Sequence, residues 1–487
     1  MKIQFLKSNT NLLLTLQIAT IGYLALTLLK GIWIGDFWEH AAVVKQLSSG
    51  NFHLHPLYNV NLPHAFYTPY HFFWGYFAKL SGINILTTLS IAGFLNALLL
   101  IYIFPKFVYS IFKKTEISIL SLVFVLILWV KPFNFSGFIS LNVLPFVLPY
   151  PSTFSIALTL VLFTYLTNAK HFKTPHYLSI ITISTIVTLT HPLTGIICYC
   201  AIVSIFINKF GLSLKPPTLL LLFSLTTSLL LIHFWPFYPF YNLALNSSKA
   251  FHSANVLMYA QIPLMCFPAI LALPIIVFYN FKAHNKSLIY LLYLLLVIYI
   301  YGYLTGNWSF GRVLSFIIII GHIYLAKFSL DTYKKLKTKS LVKLVSIIIL
   351  LLFFSRNFYT EFITTKGQWQ VTYAKYKGLA SYINKNDVIL SDRKTSWQLP
   401  AFGCKIISAL HPQAFVKNSQ QRSNDNKKFM NDSSITNSER QQIIDRYSIN
   451  KILIPQNFNL NPSLKNWLSK TTKPIFEDDK FTLYNIN

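Results

Sequence analysis

Apolar residues in this chain come in blocks of about 17–25 positions, repeated from residue 11 to residue 354. A block of that length makes a helix able to cross a bilayer. The pattern predicts spans at roughly 11–30, 84–104, 115–130, 150–168, 176–190, 193–208, 217–235, 261–280, 288–304, 313–329 and 341–354, about eleven in all. The pair around His191-Pro192 also reads as one bent hairpin. Three connecting segments, 31–83, 131–149 and 236–260, are long, aromatic and proline-punctuated, with few charges. Such segments lie in the interface as amphipathic helices, with their rings at headgroup depth. In the first, helices are expected over 37–48 and 68–80, with Gly50 and Gly82 where helix C-terminal glycines belong.

From Arg356 onward the pattern changes to Asn, Ser, Lys, Gln and Asp with short apolar runs. This marks two domains: a transmembrane domain over 1–355, carrying the first outer loop 31–83, and a small α/β domain over 356–487. Strands are expected at Val388–Ser391, Lys405–Ser408, Lys451–Pro455, Pro474–Glu477 and Phe481–Asn485, and helices at 369–383, 437–447 and 462–469. The Asn/Ser-rich segment 417–436 reads as loop or disorder. The fold class is an all-α polytopic membrane protein with a C-terminal α/β domain.

Composition agrees: 54% hydrophobic and only 11% charged. A net charge of +28 invites a nucleic-acid partner, but its distribution excludes that reading. Lys and Arg in the short loops before the tail divide 17 to 6 between alternate sides, which puts the N-terminus in the cytoplasm. An odd span count then puts 31–83 and the tail on the extracytoplasmic side, most simply of a bacterial inner membrane. The first span, with no small-residue cleavage site, reads as retained. The four cysteines offer neither a disulfide framework nor a zinc spacing.

Before residue 355 there are only four acidic residues: Asp36, Glu39, Glu116 and Asp331. A carboxylate at a membrane boundary is costly unless paired or used. Asp36, just past the first span, is placed to deprotonate a hydroxyl arriving from the aqueous side, with Glu39 one helical turn on. The plain alternative is a capping box, Asp36 at N-cap and Glu39 at the third helical position. His40, His53, His55, His64 and His71 share this loop. With the two acids they offer ligands for a divalent metal, Mg or Mn, though in no tight motif, and no cofactor is required by the sequence. Of these histidines His40 is the first candidate for a direct role. Arg312 is the only arginine before residue 356; at the outer end of a span it is a candidate phosphate ligand or an interfacial anchor. His191, and Lys249 with His252, are further far-side polar candidates. In the tail, Ser391-Asp392-Arg393-Lys394 and His411-Pro412 follow strands.

Gly35-Asp36-x-x-x-His40, a helix ending at Gly50, Phe66-Tyr67-Thr68-Pro69-Tyr70 and Leu80-Ser81-Gly82 together resemble the GT-C glycosyltransferase superfamily. The tail motifs Val388-Ile389-Leu390-Ser391-Asp392, Leu399-Pro400-Ala401-Phe402-Gly403, His411-Pro412 and Arg422 extend the resemblance over most of the chain. It implies an integral membrane enzyme that uses polyprenyl- or dolichyl-phosphate sugars. The family's catalytic base or metal ligand falls on Asp36, with Glu39 and His40 beside it; Tyr67, His71, His191, Lys249 and Arg312 are the substrate-binding candidates. The implied partners are a lipid-linked donor, membrane lipids and a glycan, lipid or protein acceptor. The rival readings are a transporter or flippase for a lipid-linked glycan, which calls for charges within the spans, and a non-catalytic scaffold with an outer binding domain.

Overall fold

The structure is a computed structural model and describes residues 2–33, 35–129, 136–213, 215–246, 252–260, 262, 266–267, 269–281, 285–335 and 371–486. The span expected at 341–354, the domain boundary at 355/356 and Lys249 lie outside the described residues. Those residues group into two compact units.

The first unit comprises 1–30, 92–235 and 240–368. It is helical, and the helices sit where the apolar blocks are. Helix α1 is Lys2–Leu29; α4, Ile85–Phe112, carries Pro105 inside it and spans the boundary between the units. Further helices fill Thr115–Ile127, Pro151–Asn168, Thr174–Thr190, Pro192–Phe210, Pro216–His233, Ser287–Leu304 and Leu314–Lys335. Among the described residues, six stretches are long and apolar enough to cross a bilayer: Thr10–Leu29, Ile85–Phe112, Pro192–Phe210, Pro216–His233, Ser287–Leu304 and Trp308–Lys335. The chain is an integral membrane protein. The expected span at 261–280 resolves into a short helical piece, Ala269–Asn280. The ambiguity at His191-Pro192 resolves into two helices meeting at a tight joint. A Cβ on Gly195 would lie 2.5 Å from Thr188 Oγ1 and 2.8 Å from its Cα, so glycine there is what lets the two backbones approach.

The second unit comprises 31–91, 236–239 and 369–487. The first loop and the tail therefore fold as one body. Helices α2 (Phe37–Ser48) and α3 (Pro69–Ser81) form over the two expected segments. Thr68 caps α3 by accepting from the His71 N–H, Pro69 opens it, and Gly82 closes it with φ +69°. The two helices pack closely because Gly75 has no side chain: a Cβ there would sit 2.5 Å from Leu47 Cβ.

Strand β1 (Ile32–Trp33) of the loop pairs antiparallel with β2 (Val371–Thr372) of the tail. The main sheet takes β3 (Val388–Leu390), β4 (Lys405–Ile406), β5 (Lys451–Pro455), β6 (Pro474–Glu477) and β7 (Phe481–Asn485) in the order β4-β3-β5-β7-β6. Its first three strands are parallel, and an antiparallel hairpin closes it. Helices Asn437–Tyr447 and Pro462–Thr471 cover it as expected.

Two expectations fail. Residues 373–382 form short 3-10 turns instead of a helix. The polar segment 417–436 is ordered as helix Ser419–Asn431. Its low hydrophobicity hides a narrow inner face: Phe429 and Met430 enter the core, Asn426 donates to the Ser391 carbonyl, and the Arg422 guanidinium lies between the Tyr58 and Tyr447 rings at 4.7 and 4.8 Å.

Candidate active site

Asp36 stands immediately before α2 and is exposed. Its φ and ψ of −72° and −3° are already helical, and its side chain makes no capping hydrogen bond. The capping-box explanation therefore does not account for it. One turn on, Glu39 is only 3% exposed. Its Oε1 accepts from His64 Nε2 at 3.0 Å, and its Oε2 lies 3.1 Å from His411 Nε2 of the tail. The His64 tautomer follows from its neighbours. Nδ1 accepts from the Phe66 N–H at 3.1 Å, so the ring hydrogen sits on Nε2 and turns toward Glu39 and toward Gln413 Oε1, also at 3.0 Å.

Burial by itself would raise the Glu39 carboxyl; the nearby His411 and His64 outweigh it and hold the group well below the usual carboxylate range. Burial would likewise lower His411, but the Glu39 charge beside it lifts the imidazole to about 9. The pair is carboxylate and imidazolium at neutral pH.

His411 reaches this place by backbone pairing between tail and loop. The Ile406 N–H donates to the Leu57 carbonyl at 2.8 Å and the Ala409 N–H to the Tyr58 hydroxyl at 3.1 Å. Lys405 extends its buried ammonium to Gln46 Oε1, the His55 carbonyl and the Pro56 carbonyl at 2.6, 2.8 and 3.2 Å. Arg393 donates to the Leu410 carbonyl at 2.6 Å, next to His411.

The ligand atoms of Asp36, Glu39 and His411 all lie within 4.8 Å of one another. Two carboxylates and an imidazole that gives up its proton when the metal binds suit a divalent cation. Glu39 Oε2 is buried and makes no hydrogen bond of acceptable geometry despite the His411 contact, leaving a lone pair for a ligand. The set fits such an ion.

The other expected site residues go elsewhere. His40 turns to His71, Nδ1 to Nε2 at 2.9 Å, and His71 Nδ1 meets Thr68 Oγ1 at 2.8 Å. Phe66 stacks on both rings. Burial lowers His40 to about 3 and lowers His71 as well, so both stay neutral and brace α2 against α3. Tyr67 is fully buried, with its hydroxyl donating to the Leu54 carbonyl. In the first unit, Arg312 sits in the 3-10 turn Trp308–Val313, donating from Nε to Asn255 Oδ1 at 3.0 Å and from Nη1 to the Ser136 carbonyl at 3.3 Å. His191 caps helix Pro192–Phe210, its Nδ1 accepting from the Thr194 N–H. Sequence reasoning underrated His411, His64 and Gln413. The only signal was His411-Pro412 after a strand.

Compared with solved structures, the chain is similar to ArnT from Cupriavidus metallidurans in the apo state. The TM-score is 0.52 at 10% identity, over 97% of each chain. It is also similar to the oligosaccharyltransferase AglB from Archaeoglobus fulgidus, solved with an inhibitory peptide and a dolichol-phosphate. Here the TM-score is 0.50 at 9% identity, over 90% of this chain and 69% of that one. The fold is GT-C. No family model matches the chain, and no curated protein matches it in sequence. The likeness is one of fold, and the residue roles rest on this chain's own geometry.

Proposed function

We propose that the protein is a membrane glycosyltransferase that moves a sugar from a lipid-phosphate-linked donor to an acceptor hydroxyl on the extracytoplasmic face. The observation that carries this reading is an exposed carboxylate, Asp36, left uncommitted to helix capping beside a buried, histidine-held acid. The acceptor oxygen attacks the anomeric carbon, the bond from that carbon to the phosphate oxygen breaks, and the hydroxyl proton passes to Asp36. Glu39, fixed by His64 and His411, holds the loop in place. Grooves between spans hold the lipid of the donor. Eleven spans with a cytoplasmic N-terminus put the second unit outside, in a bacterial inner membrane. AglB, solved with a dolichol-phosphate, supplies the precedent for a lipid phosphate in this fold.

One observation favours a second form of the same reaction, the three-ligand cluster. A divalent cation held by Asp36, Glu39 and His411 would neutralise charge on the leaving phosphate. A transporter or flippase remains the alternative of a different class, and it would release no lipid phosphate.

The test is transfer from polyprenyl-phosphate sugars by reconstituted protein. Asp36→Asn is expected to melt like the wild type and to lose about 10²–10⁴-fold in rate. Wild-type rates in that variant would refute the base. Loss on chelation with recovery on adding Mg²⁺ or Mn²⁺ selects the metal form, and indifference to chelator selects the metal-free one.

A further inference from the structure

Away from the acid cluster, the second unit contains a cavity of about 480 Å³ that the proposed reaction does not use. The last turn of α2 gives it Lys45 and Ser48, the end of α3 gives it Lys79 and Gly82, and Phe402 closes it from the tail. Lys45 lies nine residues beyond Asp36, so at 1.5 Å per residue the cavity is about 13 Å from the carboxylates along the helix.

Its neutral polar groups are already committed. Asn84 exchanges hydrogen bonds with Thr87, and the Ser48 hydroxyl returns to the Lys45 carbonyl. The two ammoniums are not neutralised: among the described residues neither has an ion-pair partner. Each lies against a glycine. A Cβ on Gly50 would stand 3.2 Å from Lys79 Nζ, and one on Gly403 would stand 3.1 Å from Lys45 Cε. Two unneutralised cations converging on one cavity create an anion site, and charge-assisted bonds from lysine suit phosphate.

The remaining wall is apolar, formed by Ile83, Ile85, Leu86 and Phe402 with three alanines. Ile85 is also the first residue of a 28-residue membrane span. On α3 the residues Phe73, Tyr76 and Leu80 are 63, 44 and 86% exposed. Spaced by three and four, they share one face, which is how an interfacial helix presents itself to acyl chains. The cavity therefore adjoins the start of an apolar helix and a helix face suited to acyl chains.

We propose that Lys45 and Lys79 bind the phosphate of an anionic membrane lipid, whose chains run along the exposed face of α3 and the start of α4. The site anchors the second unit to the bilayer and is independent of the transfer reaction.

The test uses the full chain purified in detergent, with phosphatidylglycerol, phosphatidylcholine and inorganic phosphate as separate probes. Phosphatidylglycerol is expected to raise the melting temperature of the wild type in a concentration-dependent way, with retained lipid visible by native mass spectrometry. Phosphatidylcholine and inorganic phosphate are expected to do neither. Lys45→Gln/Lys79→Gln is expected to lose the shift. Should the pair of changes prevent folding, Lys79→Gln alone, at an exposed position, is expected to halve it or more. A shift retained in full by the folded variants overturns the proposal. So does one matched by phosphatidylcholine, or one reproduced by inorganic phosphate. Transfer activity is not read, so neither result depends on the glycosyltransferase assignment.

Discussion

The two units solve the problem of buried polarity in opposite ways. In the helical unit the buried polar side chains are mostly hydroxyls, and several of them bond within a turn. Thr159 donates to Ser155, Ser184 to Ile180 and Ser224 to Leu220, each to the carbonyl four residues back. In the second unit several buried polar groups are ionisable, and their partners are distant in sequence. Glu39 meets His64 and His411, Lys405 meets Gln46, and Lys451 meets Asp387 at 2.6 Å. A membrane helix has no water to fall back on, so its polar groups must be self-sufficient. A unit outside the hydrocarbon can hold charges and use them to fix long-range geometry, and to do chemistry.

That contrast can be broken at its strongest point. His411→Gln removes the tail's contact with Glu39 and is expected to cost about 100-fold in transfer rate with little change in melting, as loss of a supporting ligand does elsewhere. Wild-type transfer in this variant would reduce the contact to a structural one.

Next in size is Lys405, which burial lowers to about 8 from 10.5. Below pH 8 the folded protein carries a buried ammonium. Between about 8 and 10.5 the unfolded chain holds a proton that the folded one has released, so stability rises with pH across that window. The wild type is expected to gain on the order of 2–3 kcal/mol there relative to Lys405→Met. Parallel stability curves for the two proteins would contradict it.

Gly75→Ala puts a methyl 2.5 Å from Leu47 Cβ, and α2 must move off α3. A loss of about 2 kcal/mol is expected from such overpacking, read as a lower unfolding midpoint. At the small end, Ser224→Ala in the helical unit leaves no carbonyl unpaired, because the backbone ladder already serves it. Its effect is expected to stay within about 0.5 kcal/mol. A larger loss would mean that hydroxyls in the spans do more than satisfy themselves.

The sequence by itself determined the six long apolar helices, the helices α2 and α3 and the sheet strands. These follow from local rules: block length against bilayer thickness, and proline and glycine at helix ends. Only the tertiary structure decided that His40 faces His71 while His411, some 370 positions on, faces Glu39. It also decided that 419–431 is a helix with a buried arginine and that the first loop and the tail are one body. The physical reason is that an ionisable group chooses its partner by proximity in the folded chain. Proximity there is set by strand pairing and by a glycine's missing side chain, and neither leaves a periodic trace in sequence.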